Sequence, residues 1–421
     1  MTRAFLAANR RTFASLRRHR NYRLFFSGQV VSVTGSWMQN IATAWLLLQL
    51  TGSPVAVGLL ALCQFLPFTL LSLPAGVLLD RIDPRRAVVV TQALSLVFAA
   101  VLAGITLGGI VTPWMLYVLA VLRGTVLVVD NPARQALTFQ LVGRDELPNA
   151  VALNSSLFNG ARVIGPALGG IVVATAGAGA CFALNAVSFF GVLLSLFLIR
   201  EGELFPLDRG EGEVPGLIGG TREALAYVRR TPAAAVVLFT VFVTSVLAFN
   251  FNVLLPVLAK QTLDGGPGAF GVLSACFGAG ALVGALAAAS LSRASATVFL
   301  AGAGLFGLGE LVLAPLDSLA GACILLAITG GAFTLWTSNS NAVLQLGAPG
   351  RLRGRVLGLY YLAFNGSMPL GGILAGFLAA TGGTELAFAV GGAGALAAAL
   401  TGAAVLHGVP RPSFALPARA R

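Results

Sequence analysis

Gly76-Val77-Leu78-Leu79-Asp80-Arg81-Ile82-Asp83-Pro84-Arg85-Arg86 closes one long apolar run and precedes another. No charge occurs from Pro54 to Leu79, and then Asp80, Arg81, Asp83, Arg85 and Arg86 arrive together. A helix needs about 20 mostly apolar residues to cross a bilayer. The stretch therefore reads as a short loop joining two membrane spans. Gly76 lets two helices approach, and Asp80 stands at a helix end. A basic loop beside a membrane would explain the arginines, but not an acid placed directly after an all-apolar helix.

The rest of the chain agrees with that reading. It has 421 residues, 57% hydrophobic and only 10% charged, with a mean hydropathy of +0.88. Soluble domains carry about 25% charged residues, so this is an all-α polytopic membrane protein. Its 52 glycines suit helices packed closely in lipid. The net charge of +12 is almost all arginine, Lys260 being the one lysine. Scattered over short loops with no recognition motif, that charge suits an anionic membrane surface and not nucleic acid. Cys63, Cys181, Cys276 and Cys323 each lie in an apolar run without CxxC spacing, and read as packing residues. His19 and His407 stand at opposite ends, and no metal-binding or paired-carboxylate motif appears. No metal, no cofactor and no enzymatic activity are expected.

Twelve spans are expected near 24–49, 54–79, 87–108, 113–133, 148–174, 180–199, 233–258, 268–291, 296–315, 319–345, 356–380 and 385–407. Residues 1–23 carry seven arginines and no long apolar core, which suits a short cationic helix on the inner leaflet and not a cleavable signal. With the N-terminus inside, every basic residue except Arg123, Arg162 and Lys260 falls in the loops at 80–86, 134–146, 200–232, 292–295 and 349–355 or in the two tails. This is the positive-inside pattern of a multi-pass plasma (inner) membrane protein with both termini cytoplasmic. The acidic, Gly/Pro-containing stretch 201–232 is then a cytoplasmic linker between bundles at 24–200 and 233–407, with 408–421 a tail. The halves echo each other: Phe158-Asn159-Gly160 stands before a proline and a Gly-Gly pair, and so does Phe364-Asn365-Gly366. Duplicated six-helix halves are a transporter architecture with a midplane site.

The loop Gly76–Arg86 resembles the Gly-x-x-x-Asp-Arg-x-Gly-Arg-Arg signature of the major facilitator superfamily, with Asp83-Pro84 in the glycine region. The resemblance implies the major facilitator fold, two pseudo-symmetric six-helix bundles, and a gating latch at Gly76, Asp80, Arg81, Arg85 and Arg86. The second-half loop keeps only Arg293, so the latch is expected to be one-sided. Ala161, Gly165, Pro166, Gly169 and Gly170 look like the antiporter motif of proton-coupled exporters, with alanine where the family prefers glycine. Pro166 removes an internal hydrogen bond and is expected to bend the helix. Gly165 and Gly169 give a smooth face for a neighbour, which plain close packing would also need. Leu119-x-x-x-Arg123 resembles the span-four motif without its Gln and Gly. Asp130-Asn131-Pro132-Ala133-Arg134-Gln135, Asn149–Asn154 and Gly35-Ser36-Trp37-Met38-Gln39-Asn40 look like the enterobactin-exporter-like branch, which handles drugs and siderophores.

Charges inside spans are costly, about 2.5–3.5 kcal/mol each on insertion scales. Arg123, Asp130 and Arg134 fall within about 20° of one helical stripe. Asp130 and Arg134 form an i,i+4 pair, either along the pathway or as an interfacial salt bridge. Arg123 and Arg162 at mid-depth either face one cavity, favouring an anionic or hydrogen-bond-accepting cargo, or are satisfied by backbone carbonyls or Asp130. Glu310 is either a protonatable group in span nine or simply wet near the outer surface. Gln39, Asn40, Asn250, Asn252, Trp336, Asn339 and Asn365 are the uncharged pathway candidates, each equally open to a helix-to-helix hydrogen bond. The expected function is a monomeric secondary active exporter of a small organic molecule, exchanging it for protons by alternating access. Uptake is the alternative within the superfamily, and a membrane-embedded enzyme or a channel outside it. No phosphate-binding loop is present to suggest ATP as the energy source.

Overall fold

Proline begins five of the long helices: Pro54, Pro84, Pro113, Pro232 and Pro267 are each a first helical residue. The missing N–H costs nothing there, because the first turn has no acceptor for it. The computed structural model describes residues 13–79, 82–206, 217–290, 295–349 and 352–407, with side chains at those positions except 73–79, 217–221 and 290. Among the described residues there are helices and no strand. Of the expected latch, Asp80 and Arg81 lie outside the described residues, as does Arg293, and Gly76 is described only as backbone of its helix.

Among the described residues, eight stretches are long and apolar enough to cross a membrane. Pro113–Phe197 is broken at Gly143 and Gly177 into spans four, five and six, and Arg353–His407 is broken at Gly382-Gly383 into spans eleven and twelve. With span one (Arg20–Thr51) these make the twelve-helix major facilitator fold. Spans two and three are Pro54–Leu79 and Pro84–Leu107. Span seven comprises Pro232–Leu247, Phe251–Val257 and a π-helical turn at Leu258–Thr262. Spans eight, nine and ten are Pro267–Ser290, Ala296–Leu313 and Leu319–Gly347. The breaks need glycine: φ is +71° at Gly143, +82° at Gly177 and +68° at Gly383, a region that costs other residues about 1–2 kcal/mol. Gly177 and Gly383 are spaced as Phe158 and Phe364 are, so the repeat extends to the hairpin turns.

One expectation changes. The loop expected at 134–146 is helical up to Gly143, so Arg134 belongs to span four. Backbone breaks in that stretch fall at Gly143 and Gly177, and the helix continues through Pro166. Within the linker, Leu217–Arg230 is a helix whose Tyr227 hydroxyl donates to the Gly347 carbonyl and whose Glu223 pairs with Arg355.

The chain forms two compact units, Met1–Leu50 with Leu66–Glu211 and Thr51–Phe65 with Gly212–Arg421. The first half of span two belongs to the second unit, where Gly58 lies against Gly372 and Gly376 with no side chain between the backbones. In the first unit, Tyr22, Phe25, Val88, Leu137, Leu141, Ala150 and Val192 form a buried cluster. A short helix, Ala14–Arg18, is docked by Ser15 on Asn149 and by Arg18 on Glu146.

Candidate functional site

The hexapeptide Gly35–Asn40 explains itself once wound into span one, because each residue meets a different neighbour. Gly35 and Gln39 face span six: a Cβ on Gly35 would press on Asn185 and Ser188, and Gln39 Oε1 accepts from Asn185 Nδ2 at 2.6 Å. Ser36 and Asn40 face span four, where Arg123 donates to Asn40 Oδ1 at 2.5 Å and reaches the Ser36 carbonyl at 3.5 Å. Trp37 and Met38 face span five. A Cβ on Gly165 would run into Trp37 and the Thr34 carbonyl, and one on Gly169 would meet the Met38 backbone at 3.0 Å. Arg162 lies over the Trp37 ring, 5.6 Å from its centroid, a cation–π arrangement worth about 0.5–2 kcal/mol. The two mid-depth arginines thus address successive residues of one helix. Ala161, Gly165, Pro166, Gly169 and Gly170 of the antiporter-like motif are all buried, as a tight crossing requires.

Toward the basic-loop end of the same unit, Asp130 is 1% exposed and fully engaged. Its Oδ1 accepts from the Thr91 hydroxyl at 2.6 Å and from Gln92 Nε2 at 2.9 Å, and its Oδ2 accepts from Arg134 Nε. Arg134 also donates to Gln29 Oε1. Spans one, three and four are therefore joined by a polar seam of Gln29, Arg134, Asp130, Thr91 and Gln92. Burial makes that arrangement stable only because every oxygen of the carboxylate has a donor. The stripe seen in the sequence is real, but Arg123 uses span one while Asp130 uses span three.

Arg85 and Asp83 hold the loop ends. Asp83 accepts from the Arg86 N–H at 2.9 Å and caps span three, with Pro84 at the first helical position. This accounts for Asp83-Pro84 standing where the family signature has glycine: aspartate caps and proline starts a helix. Arg85 donates to the Leu196 carbonyl at 3.3 and 3.0 Å and pairs with Glu201, so it closes the end of span six. Arg86 is exposed.

The second unit is built differently. Phe249 and Phe251 of span seven, Phe277 of span eight, Phe306 of span nine, Phe333 and Trp336 of span ten, and Tyr360 and Phe364 of span eleven form one network of ring contacts. Two helix breaks meet in it. Span seven is interrupted around Ala248–Asn250, and span eleven at Asn365–Ser367. Phe249 and Phe364, beside these breaks, stack at 5.6 Å. The matching Phe158–Gly160 of span five stays helical, with Asn159 donating to the Ser155 carbonyl at 2.9 Å. The repeat is thus symmetric in sequence and asymmetric in backbone.

Glu310 lies one turn beyond Phe306. It is 1% exposed, and neither carboxyl oxygen has a hydrogen-bond partner among the described residues. A Cβ on Gly391 would meet its Oε2 at 2.7 Å and the Leu247 carbonyl at 2.7 Å, which puts the acid between span twelve and the break in span seven. The reading of Glu310 as a wet surface group is therefore corrected: the helix turns it inward.

A family model described as "Transmembrane secretion effector" matches residues 10–413. The chain belongs to that family. It is a branch of the major facilitator superfamily, and the protein is a multi-pass membrane transporter of the export type, not an enzyme. The chain is 26% identical over 374 residues to the Staphyloferrin A transporter of Staphylococcus aureus, covering 87% of this chain and 92% of that one. It is 29% identical over 367 residues to the multidrug efflux pump Tap of Mycolicibacterium fortuitum, covering 84% and 88%. It is 23% identical over 372 residues to macrolide efflux protein A of Streptococcus pyogenes, covering 86% and 91%. In fold it is similar to the nucleoside transporter NupG, at 13% identity and a TM-score of 0.69, with 92% of this chain and 99% of that chain covered. A POT family transporter in complex with 5-aminolevulinic acid matches at 13% identity and a TM-score of 0.72, covering 92% and 96%.

Within this secretion-family fold the remaining sequence candidates take defined places. Asn250 is buried at the span-seven break and donates to the Val246 carbonyl at 2.8 Å, while Asn252 is exposed. Asn339 is buried, bonding the Leu335 carbonyl at 2.9 Å and accepting from the Ser295 N–H at 3.3 Å, so it fixes the start of span nine. Trp336 is wholly buried within the aromatic network, with no partner for its indole N–H among the described residues. Asn365 stands at the end of the first helix of span eleven. Sequence reasoning missed Gln29, Thr91 and Gln92. A glutamine in an otherwise apolar span was the available signal. The phenylalanine network had no such signal, since phenylalanine in a membrane span is ordinary.

Proposed function

We propose that this protein exports its cargo by exchange for protons, with alternating access to the two sides of the membrane, and that Glu310 carries the proton. The observation behind this reading is the contrast between the two buried acids. Asp130 is held by three side-chain donors, whereas Glu310 is buried with none. A charged carboxylate without partners is costly to bury, so the acid holds a proton there and ionises when water or cargo reaches it. Its place beside the broken segment of span seven gives the proton state a structural target. Each proton moving inward supplies about 2.3 kcal/mol per 100 mV, besides any pH gradient.

For cargo we propose a small drug-like or siderophore-like molecule rich in hydrogen-bond acceptors, met by Arg123 of span four and Arg162 of span five beside span one. The relatives are named for a siderophore, for multiple drugs and for macrolides, and two cations held against successive residues of one helix suit such groups. The protein sits in the inner membrane as a monomer, with the basic loops and both termini in the cytoplasm.

The test is accumulation of fluorescent dyes and catecholates in cells expressing wild type, Glu310→Gln or Glu310→Ala, with and without a protonophore. Wild type lowers accumulation and the protonophore abolishes this. Glu310→Gln loses net export against a gradient but keeps exchange of labelled for unlabelled cargo in reconstituted vesicles. Protonophore-sensitive export by Glu310→Gln at the wild-type rate would remove Glu310 from the mechanism. A wild type that raises accumulation would reverse the direction.

A further inference from the structure

Cys276 and Cys323 are distant in sequence, and nothing in their spacing pairs them. The packing of spans eight and ten brings them together. These two helices cross with backbone against backbone. A Cβ on Gly280 would collide with the Ala327 carbonyl, one on Gly284 with the Gly331 carbonyl, and one on Gly330 with the Phe277 carbonyl. Contacts advance in step along both chains, from 280 against 327 to 284 against 331, so the helices run parallel. One turn earlier on each, Cys276 faces Cys323. The two side chains lie beside each other, and both residues are partly exposed. Cys181, by contrast, is fully buried, and Cys63 lies in span two.

A crossing made of glycine and alanine backbone has no interlocking side chains, so one helix can slide along the other. A covalent tie one turn away would stop this. Disulfides need Cα atoms about 4.4–6.8 Å apart, a separation that two helices in backbone contact provide. We propose that Cys276 and Cys323 form an intramembrane dithiol site that reacts with small membrane-permeant disulfides and closes to a Cys276–Cys323 bond, locking span eight to span ten. In the first step one cysteine sulfur attacks the S–S bond of the reagent. A mixed disulfide forms, and one reagent thiol leaves with the proton of the attacking cysteine. In the second step the other cysteine attacks the protein sulfur of that mixed disulfide, the Cys–Cys bond forms, and the second reagent thiol leaves with the second proton. Two electrons pass from the cysteine pair to the reagent, and reductant reverses the sequence.

The test uses the full chain carrying Cys63→Ser and Cys181→Ser, reconstituted in vesicles and treated with dipyridyl disulfide. Intact mass is expected to show no retained pyridyl group and no free thiol, with both thiols returned by reductant. Adding Cys276→Ser is expected to leave one pyridyl group on Cys323. Amide hydrogen exchange across spans eight and ten slows in the oxidised protein and recovers on reduction. Two pyridyl groups retained on the pair-bearing protein, or two unreacted thiols, would overturn the site. A closed disulfide with unchanged exchange in both spans would overturn the lock.

Discussion

Asp130 and Glu310 are both carboxylic side chains inside apolar helices, and what surrounds them differs. Thr91, Gln92 and Arg134 saturate Asp130, so Asp130→Asn leaves the Arg134 guanidinium, which also donates to Gln29, without its counter-charge. Breaking a buried pair on one side costs about 3–5 kcal/mol. Thermal unfolding of the purified protein should show a clearly lowered midpoint for Asp130→Asn, while Glu310→Gln, which breaks no hydrogen bond, stays close to wild type. Equal losses in both variants would mean that the two acids are held alike. Glycines divide in the same way. A methyl group on Gly165 would strike Trp37 and Thr34, whereas one on Gly160 meets open space. Gly165→Ala is expected to destabilise by about 1–3 kcal/mol through overpacking, and Gly160→Ala to be neutral or slightly stabilising. Thermal midpoints of the two variants decide this, and a reversed order would refute the span one–span five contact.

At the scale of the helix, the boundaries obey local chemistry. Pro84 after Asp83 starts span three, and Ser295 and Ser318 cap spans nine and ten by accepting from the N–H groups of Val298 and Gly321. Turns between spans five and six and between eleven and twelve use glycines with positive φ. Gly177→Ala and Gly383→Ala should each cost about 1–2 kcal/mol, although neither Cβ would touch anything. A midpoint unchanged by both would mean that the turns relax to another conformation. Broken spans are harder to read. Phe158-Asn159-Gly160 and Phe364-Asn365-Gly366 are the same tripeptide, one helical and one a turn. The tripeptide has no means to distinguish them. Gly371 lies against Asn250 and the Val246 carbonyl in the second unit, and the rings of Phe249 and Phe364 stack beside it. Tertiary contacts of this kind make one backbone break worthwhile where its counterpart gains nothing.

The whole molecule carries a prediction about sidedness. Apart from Arg123, Arg162 and Lys260, the basic residues lie in loops and tails on one side of the span pattern or, as Arg134 does, at a span end toward that side. In a cysteine-free background, Asp317→Cys should react with a membrane-impermeant maleimide added to intact cells, and Arg230→Cys only after permeabilisation. Both side chains are exposed in the structure, so a reversed pattern would mean an inverted protein. The sequence by itself determined that this chain is an α-helical membrane protein of twelve spans in two related halves. Length, apolarity and charge bias are summed over many residues, and no single contact overturns such a sum. It also determined the family, because loop signatures such as Gly76–Arg86 are local. Only the tertiary structure decided that Arg134 completes a seam with Gln29 and Asp130, that Arg85 closes span six, and that Glu310 is buried without a partner. It also decided that Cys276 meets Cys323. The reason is physical: a side chain's hydrogen-bond partners and exposure depend on which distant helix the backbone packs beside it. Spacing along one chain specifies a face of a helix, not what that face meets.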